Sequence, residues 1–251
     1  MKKFIALFIL VTTVTFVNAQ TVDEILNNYF ENTGGLEKWK ALKGTKSTAK
    51  VDAQGMTIPL EIYNMSDGKS LVKFELQGKE MVQGAFDGET SWGVNFMTMK
   101  PEKSDDETTE NVKRSAGDYP SPFIDYKEKG YKVELMGEET VEGVECYKIK
   151  LTKKPMLVEG QEVDNIEYYY FDKENFVPIL SESEIPSGPM KGQIAQTVYS
   201  DYQEVEGLYF PFSITSKMKD GQGQTVQIES VELNPEVDES MFKFPEGETT
   251  E

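Results

Sequence analysis

The side chains of this 251-residue chain that could do acid–base chemistry are almost all carboxylates: 44 Asp and Glu, no His and a single Cys. Without imidazole there is no Ser-His-Asp or Cys-His nucleophile, no histidine general base and no zinc site that needs histidine. One cysteine excludes an internal disulfide and a cysteine metal cluster, and Cys146, within the strand-like run Val144–Leu151, reads as a small half-buried apolar residue. Catalysis would need two carboxylates converging in a cleft, as in a glycan hydrolase of the cell envelope, and Glu167, Asp172, Glu182 and Asp201 are the candidates. Among 44 acids some pairs approach by chance, so solvated strand faces and turns are the favoured account of these. The run Asp105–Glu107 lacks the spaced ligands of a calcium loop. There is no glycine-rich phosphate loop, Gly-x-Ser-x-Gly elbow or dinucleotide fingerprint. The sequence therefore predicts no catalytic residues, no metal and no cofactor.

The other chemistry available is apolar. Phe74, Phe86, Trp92, Phe96, Tyr168, Tyr170, Phe210 and Phe212 stand at alternating positions, so each group of them shares a strand face, with Met56, Met81, Met97, Met99 and Met218 on or beside the same strands. Two readings follow: a normal filled core, or a ligand-binding cavity whose aromatic faces and thioethers accept acyl chains of varied shape. Spacing alone does not choose between them. If this face is concave, Phe74 and Trp92 line a pocket beneath the N-terminal helix, with Ile25 or Phe30 above them.

Those residues need elements to hold them. Lys2 and Lys3, the apolar run Phe4–Val17 and the small Ala19 read as a secretory signal peptide over residues 1–19, cleaved before Gln20. This predicts an exported, periplasmic protein with no N-terminal lipid and no transmembrane segment in the mature chain. Cleavage takes the net charge from −18 to −20. That balance argues against nucleic acid and against docking on anionic lipid through a basic patch. Thr21 and Glu24 form a capping box. Val22, Ile25, Leu26, Tyr29 and Phe30 make one apolar helix face, which Gly34 and Gly35 terminate. Leu36, Trp39 and Leu42 suggest a second short helical turn.

From Thr45 the apolar period becomes two, and ten or eleven strands joined by short turns predict an antiparallel meander. Residues 101–118 read as a solvated acidic loop and 246–251 as an unstructured tail, leaving 20–251 as a single β domain. A sheet this wide must hide its edges, which predicts a mainly β fold: a strongly curved antiparallel sheet, an incomplete β-barrel, with the amphipathic helix on one face.

Several short pieces in this order resemble a known family. They are the helix end Asn32–Gly35, then Phe86–Trp92, then Tyr169–Asn175 with Val177 and Pro178, then Asp201–Pro211, and finally Asn234–Phe242 followed by Pro245. Together they resemble the outer-membrane lipoprotein-sorting proteins of the LolA/LolB-like superfamily. The resemblance implies an incomplete antiparallel barrel covered by helices, with an apolar cavity for lipoprotein acyl chains. It also implies envelope protein partners, and no catalytic residues or cofactor. Carriers of this family use an arginine in holding the lid closed; the single arginine here, Arg114, lies in the acidic segment, and no role is transferred to it.

Overall fold

The computed structural model describes residues 20–246 apart from 54 and 77. The expected signal peptide and, beyond Glu246, the expected tail lie outside the described residues. Helix α1 (Val22–Asn32) begins in the capping box: the Thr21 hydroxyl accepts the Glu24 amide at 3.3 Å, and the Glu24 carboxylate accepts the Thr21 amide at 2.8 Å. Its buried face is Ile25, Leu26 and Phe30. The chain then turns through Gly34, whose φ of 115° suits only glycine and where a Cβ would collide with the Gly207 carbonyl oxygen. Helix α2 (Leu36–Ala41) follows and buries Trp39, which donates its Nε1 hydrogen to the buried Thr33 hydroxyl at 3.0 Å.

Next come β1 (Gly44–Ala53), β2 (Met56–Met65), β3 (Ser70–Leu76), β4 (Lys79–Phe86), β5 (Ser91–Asn95) and the short β6 (Lys100–Lys103). Helix α3 (Asp106–Ser115) leads to β7 (Lys132–Val141) and β8 (Val144–Thr152). A small hairpin, β9 (Met156–Val158) and β10 (Gln161–Val163), precedes β11 (Ile166–Asp172) and β12 (Pro178–Glu184). Long strands β13 (Ile194–Val205), β14 (Leu208–Met218) and β15 (Gly223–Leu233) complete the chain of elements. Thirteen of these strands form one antiparallel sheet in the order β6-β5-β4-β3-β2-β1-β15-β14-β13-β12-β11-β8-β7. Pairing of β1 with β15 joins the N-terminal and C-terminal halves in the middle. The edges β6 and β7 do not pair with each other, so the curved sheet is open and not a closed barrel. Both edges are blunted, β6 by its length and β7 by Lys132, Glu134, Glu138 and Glu139.

The inner face of the sheet carries the helices. Ile25, Leu26, Phe30, Trp39 and Leu42 pack there on Tyr147, Ile149, Leu151, Tyr169 and Phe171, with Phe123 and Ile124 from the segment before β7. Further along the same face, Ala49, Val51, Leu60, Phe212 and Ile228 form an aliphatic floor. The outer face has two smaller clusters. Tyr63, Leu71, Ala85 and Trp92 are covered by the C-terminal Phe242, and Tyr170 and Leu180 surround the free Cys146 thiol.

The acidic segment is not the expected loop. Residues 100–103 form β6, and α3 starts at Asp105, whose carboxylate accepts the Thr108 amide at 2.6 Å. Acids in its first turn, Lys113 and Arg114 in its last, and the Arg114–Glu110 pair at 3.2 Å all favour a helix. It buries no side chain, so it has no apolar period to betray it. α3 instead clasps the β9–β10 hairpin through polar contacts. Asn111 exchanges two hydrogen bonds with Leu157, Glu107 accepts the Glu159 and Gly160 amides, and Arg114 donates to the Pro155 carbonyl and Glu162.

Candidate ligand cavity

Between the helices and the inner face lies a cavity of about 290 Å³. α1 contributes Tyr29 and α2 Trp39, whose ring meets Phe210 edge-on at 5.0 Å. The segment 119–123 supplies Tyr119, Phe123 and two prolines, with Phe123 edge-on to Tyr169 at 4.9 Å. The sheet supplies Ile62, Ile214, Ile228 and Val231 as an aliphatic floor, and Tyr169, Tyr199 and Tyr202 as a wall. Tyr199 and Tyr202 are three residues apart on β13 and a regular strand would point them oppositely. Asp201 between them has a φ of 55°, which breaks the extended backbone, and both rings reach the cavity.

Among the described residues no charged side chain lines this space. Its polar groups are hydroxyls and one amide, and the phenols stay neutral. Burial pushes Tyr29 and Tyr119 up to about 12, against the smaller opposing effect of their hydrogen-bonding neighbours Ser121 and Thr45. Burial likewise raises Tyr169, Tyr199 and Tyr202. Tyr199 is held beside Ser181 at 3.2 Å, Tyr202 donates to the Pro178 carbonyl at 2.7 Å, and Tyr119 donates to Thr45 at 2.9 Å. Such an interior accepts apolar matter and neutral hydrogen-bonding groups, and disfavours ions.

Tyr199, Tyr202 and Tyr209 also line a second, more open space of about 680 Å³, which makes them the partition between cavity and vestibule. The vestibule is more polar than the cavity and carries a charge: Asn32, Thr33, Asp172, Asn175 and Ser200 line it together with Val177 and Ile179.

The structure distributes the eight sequence candidates unevenly. Phe210 lies in the cavity wall, and Phe212 and Phe74 belong to the adjoining aliphatic floor. Phe86 is 2 % exposed and pairs laterally with Ser70. Phe96 lies beyond the end of β5, 58 % exposed, with its ring stacked on Phe74 at 6.1 Å. Trp92 does not share a pocket with Phe74. It sits on the outer face in the row Tyr63–Leu71–Ala85–Trp92, donating its Nε1 hydrogen to the Phe242 carbonyl at 2.8 Å. Two features reverse the expected parity. Gln83 is an extra residue in β4, between the pairs Val72–Gly84 and Lys73–Val82, so the strand changes face there. The Asp87–Thr90 turn then pairs Ala85 with Trp92 and Phe86 with Ser91, which puts Phe86 and Trp92 on opposite faces. Tyr168 and Tyr170 also face outward, Tyr170 packing with Cys146 and Leu180, while their neighbours Tyr169 and Phe171 point inward.

The four carboxylates named as catalytic candidates are engaged separately, Asp201 accepting the Gln203 side-chain amide at 2.9 Å on the exposed surface. Glu167 meets Lys153 at 3.5 Å, and Asp172 accepts the Glu174 and Asn175 amides of a turn. Burial raises the Glu182 carboxyl, but hydrogen bonds from Tyr170 and Gln196 and the charges of Lys219 and Lys148 outweigh it and hold it low. Among the described residues no three His, Cys, Asp or Glu side chains come together as a metal site. Nor is any described helix long and apolar enough to cross a membrane.

Residues 124–245 match the profile of a family described only as an uncharacterized protein. No curated protein sequence matches the chain. Among solved structures, it is similar to a DUF1329 family protein from Desulfovibrio piger at 15% identity, covering 90% of this chain and 98% of that one with a TM-score of 0.56. A LolA superfamily protein from Nitrosomonas europaea is similar at 14% identity over 90% and 98% of the two chains, TM-score 0.56. A domain described as an outer membrane lipoprotein-sorting protein from Vibrio parahaemolyticus is similar at 13% identity, 87% and 94% coverage and a TM-score of 0.55. Sequence identity this low speaks for architecture alone, and the architecture is shared along almost the whole of each chain: this protein has the fold of these three structures.

Proposed function

We propose that this chain is an exported, non-enzymatic, single-domain carrier that holds the alkyl part of a hydrophobic ligand in its inner cavity. Lipoprotein acyl chains, handled during outer-membrane lipoprotein sorting in the periplasm, are the cargo. The observation that carries the reading is the cavity, about 290 Å³ of space between helices and sheet with no charged lining residue among the described ones. An apolar cavity of ~150 Å³ admits one benzene ring, so this one has room for about a dozen carbon atoms. At ~0.8 kcal/mol per methylene, such a chain gains about 10 kcal/mol on leaving water, before ordering costs are subtracted. The description of the Vibrio parahaemolyticus domain supplies the sorting role, and the signal-like residues 1–19 supply the compartment. Engagement of Glu167, Asp172 and Glu182 in ion pairs, a turn and hydrogen bonds favours a carrier over a carboxylate hydrolase.

The test is native mass spectrometry of protein purified gently from its own envelope, with titration of the uncharged fluorophore N-phenyl-1-naphthylamine. A co-purifying alkyl ligand and saturable one-to-one fluorophore binding are expected. Ligand-free protein that gives no fluorescence enhancement would overturn the proposal.

A further inference from the structure

The cavity and its vestibule differ in one respect that bears on which amphiphile fits. The cavity walls are neutral, so whatever enters must be an uncharged chain. Its head group then remains beyond the partition of Tyr199, Tyr202 and Tyr209, among Asn32, Ser200 and Asp172. Among the described residues Asp172 is the only charged one lining that vestibule. Its oxygens accept the Glu174 and Asn175 amides and the Asn175 side-chain amide, so they are fixed in place by the turn. The adjacent Lys173 provides no neutralisation, because it points to Glu138 at 2.8 Å and Glu145 at 3.8 Å. An anionic head seated here would meet an uncompensated like charge, whereas hydroxyl or amide heads find donors and acceptors on Asn32 and Ser200.

Resting on the reading of the cavity as a lipid site, we infer that the cavity takes one alkyl segment of about twelve carbons from an amphiphile with an uncharged head group. Asp172 at the mouth turns away carboxylate and phosphate heads of the same chain length. The glyceryl and amide functions of an acylated lipoprotein belong to the accepted class, and fatty acids and anionic phospholipids to the rejected one.

The experiment compares monododecanoylglycerol with dodecanoate at pH 8 and low salt, by displacement of N-phenyl-1-naphthylamine from the protein and from Asp172→Asn. Asparagine keeps the turn-forming side chain and removes the charge. The glyceride is expected to bind at least tenfold more tightly than dodecanoate. Asp172→Asn should shrink that ratio at least threefold, and so should added salt in the parent protein. Asn32→Lys, which places a cation at the same mouth, is the second variant and should shrink the ratio even if Asp172→Asn fails to fold. Equal affinities in the parent, or a ratio unmoved in a folded variant, would overturn the inference while leaving the carrier reading intact. Failure of every probe to bind would overturn both.

Discussion

Trp92→Ala separates the two faces of the sheet. Trp92 is 5 % exposed and packs in the outer cluster with Tyr63, Leu71, Ala85 and Phe242, with Phe244 edge-on at 5.9 Å. Truncating a buried tryptophan costs about 3–5 kcal/mol. Its Nε1 also donates to the Phe242 carbonyl, and leaving that buried acceptor unpaired adds about 1–3 kcal/mol where water does not reach it. Phe242 belongs to the C-terminal segment, which has freedom to relax, so a loss of about 5 kcal/mol is the working figure. For a domain of this size each kcal/mol lowers Tm by about 2–4 °C, which makes the expected drop about 10–20 °C. None of these contacts touches the cavity. N-phenyl-1-naphthylamine binding by the folded variant should therefore stay within twofold of the parent. Urea unfolding and fluorescence titration on the same sample give both numbers. A loss below about 1 kcal/mol, or a tenfold loss of binding in folded protein, would refute the placement of Trp92 on the outer face.

Ile228→Trp should do the opposite, filling the cavity floor, lowering binding at least tenfold and leaving a cooperative unfolding transition; unchanged binding would count against the cavity as the site. Lys153 lies between Asp118 at 3.2 Å and Glu167 at 3.5 Å, all three largely buried, so Lys153→Met leaves two uncompensated carboxylates and should cost about 2–3 kcal/mol by urea unfolding. Arg114→Gln should cost about 1 kcal/mol or less, yet hydrogen exchange should quicken within 106–115 and 156–163 and nowhere else. Tyr29 and Tyr119 are raised to about 12 in the folded protein, whereas in the unfolded chain they ionise near ~10. The unfolded state loses these protons first, so stability is fully present below ~pH 10 and declines as the pH rises toward 12. Urea midpoints that stay flat from pH 10 to 11.5, or 295 nm absorbance showing every tyrosine ionising near ~10 in folded protein, would contradict this.

The elements legible in the sequence are those whose signals are local. The Thr21–Glu24 capping box, the Ile25–Phe30 helix face and the Gly34 turn are each set by a few adjacent residues, and each stands as expected. Antiparallel pairing of consecutive strands followed from short turns and alternation, whereas the β1–β15 and β8–β11 pairings bring together strands that no turn connects. Side-chain direction did not, because one residue inserted at Gln83 reverses it for everything downstream on that hairpin. Asp201 has the same effect in miniature, bringing Tyr199 and Tyr202 together against their spacing. Tyr119 and Phe123 reach the cavity from an irregular segment with no period at all. α3 carries its signal in caps and charges, which an apolar scan reads as solvated loop. For β11 the alternation was visible but its phase was not: Tyr169 and Phe171 face the helices, and Tyr168 and Tyr170 do not.

The uncharged cavity and the strongly acidic chain around it depend on one another. A void between helices and sheet collapses where flexible side chains can fill it, and this one is walled by aromatic rings and by Pro120, Pro122, Pro178 and Pro211, which have little conformational freedom. The phenols are fixed by bonds to Thr45, Ser181 and the Pro178 carbonyl, so polar atoms are satisfied without a charge entering the space. Most charged side chains of the described residues are left to the surface, in ion pairs such as Lys50–Glu229 and Lys73–Glu80. Water therefore holds the shell while the interior offers an alkyl chain a neutral alternative to it. The open sheet completes the arrangement. The α3 helix that follows edge strand β6 is tied to the β9–β10 hairpin by side-chain bonds and not by a backbone ladder, and those bonds break independently of the 13-stranded sheet.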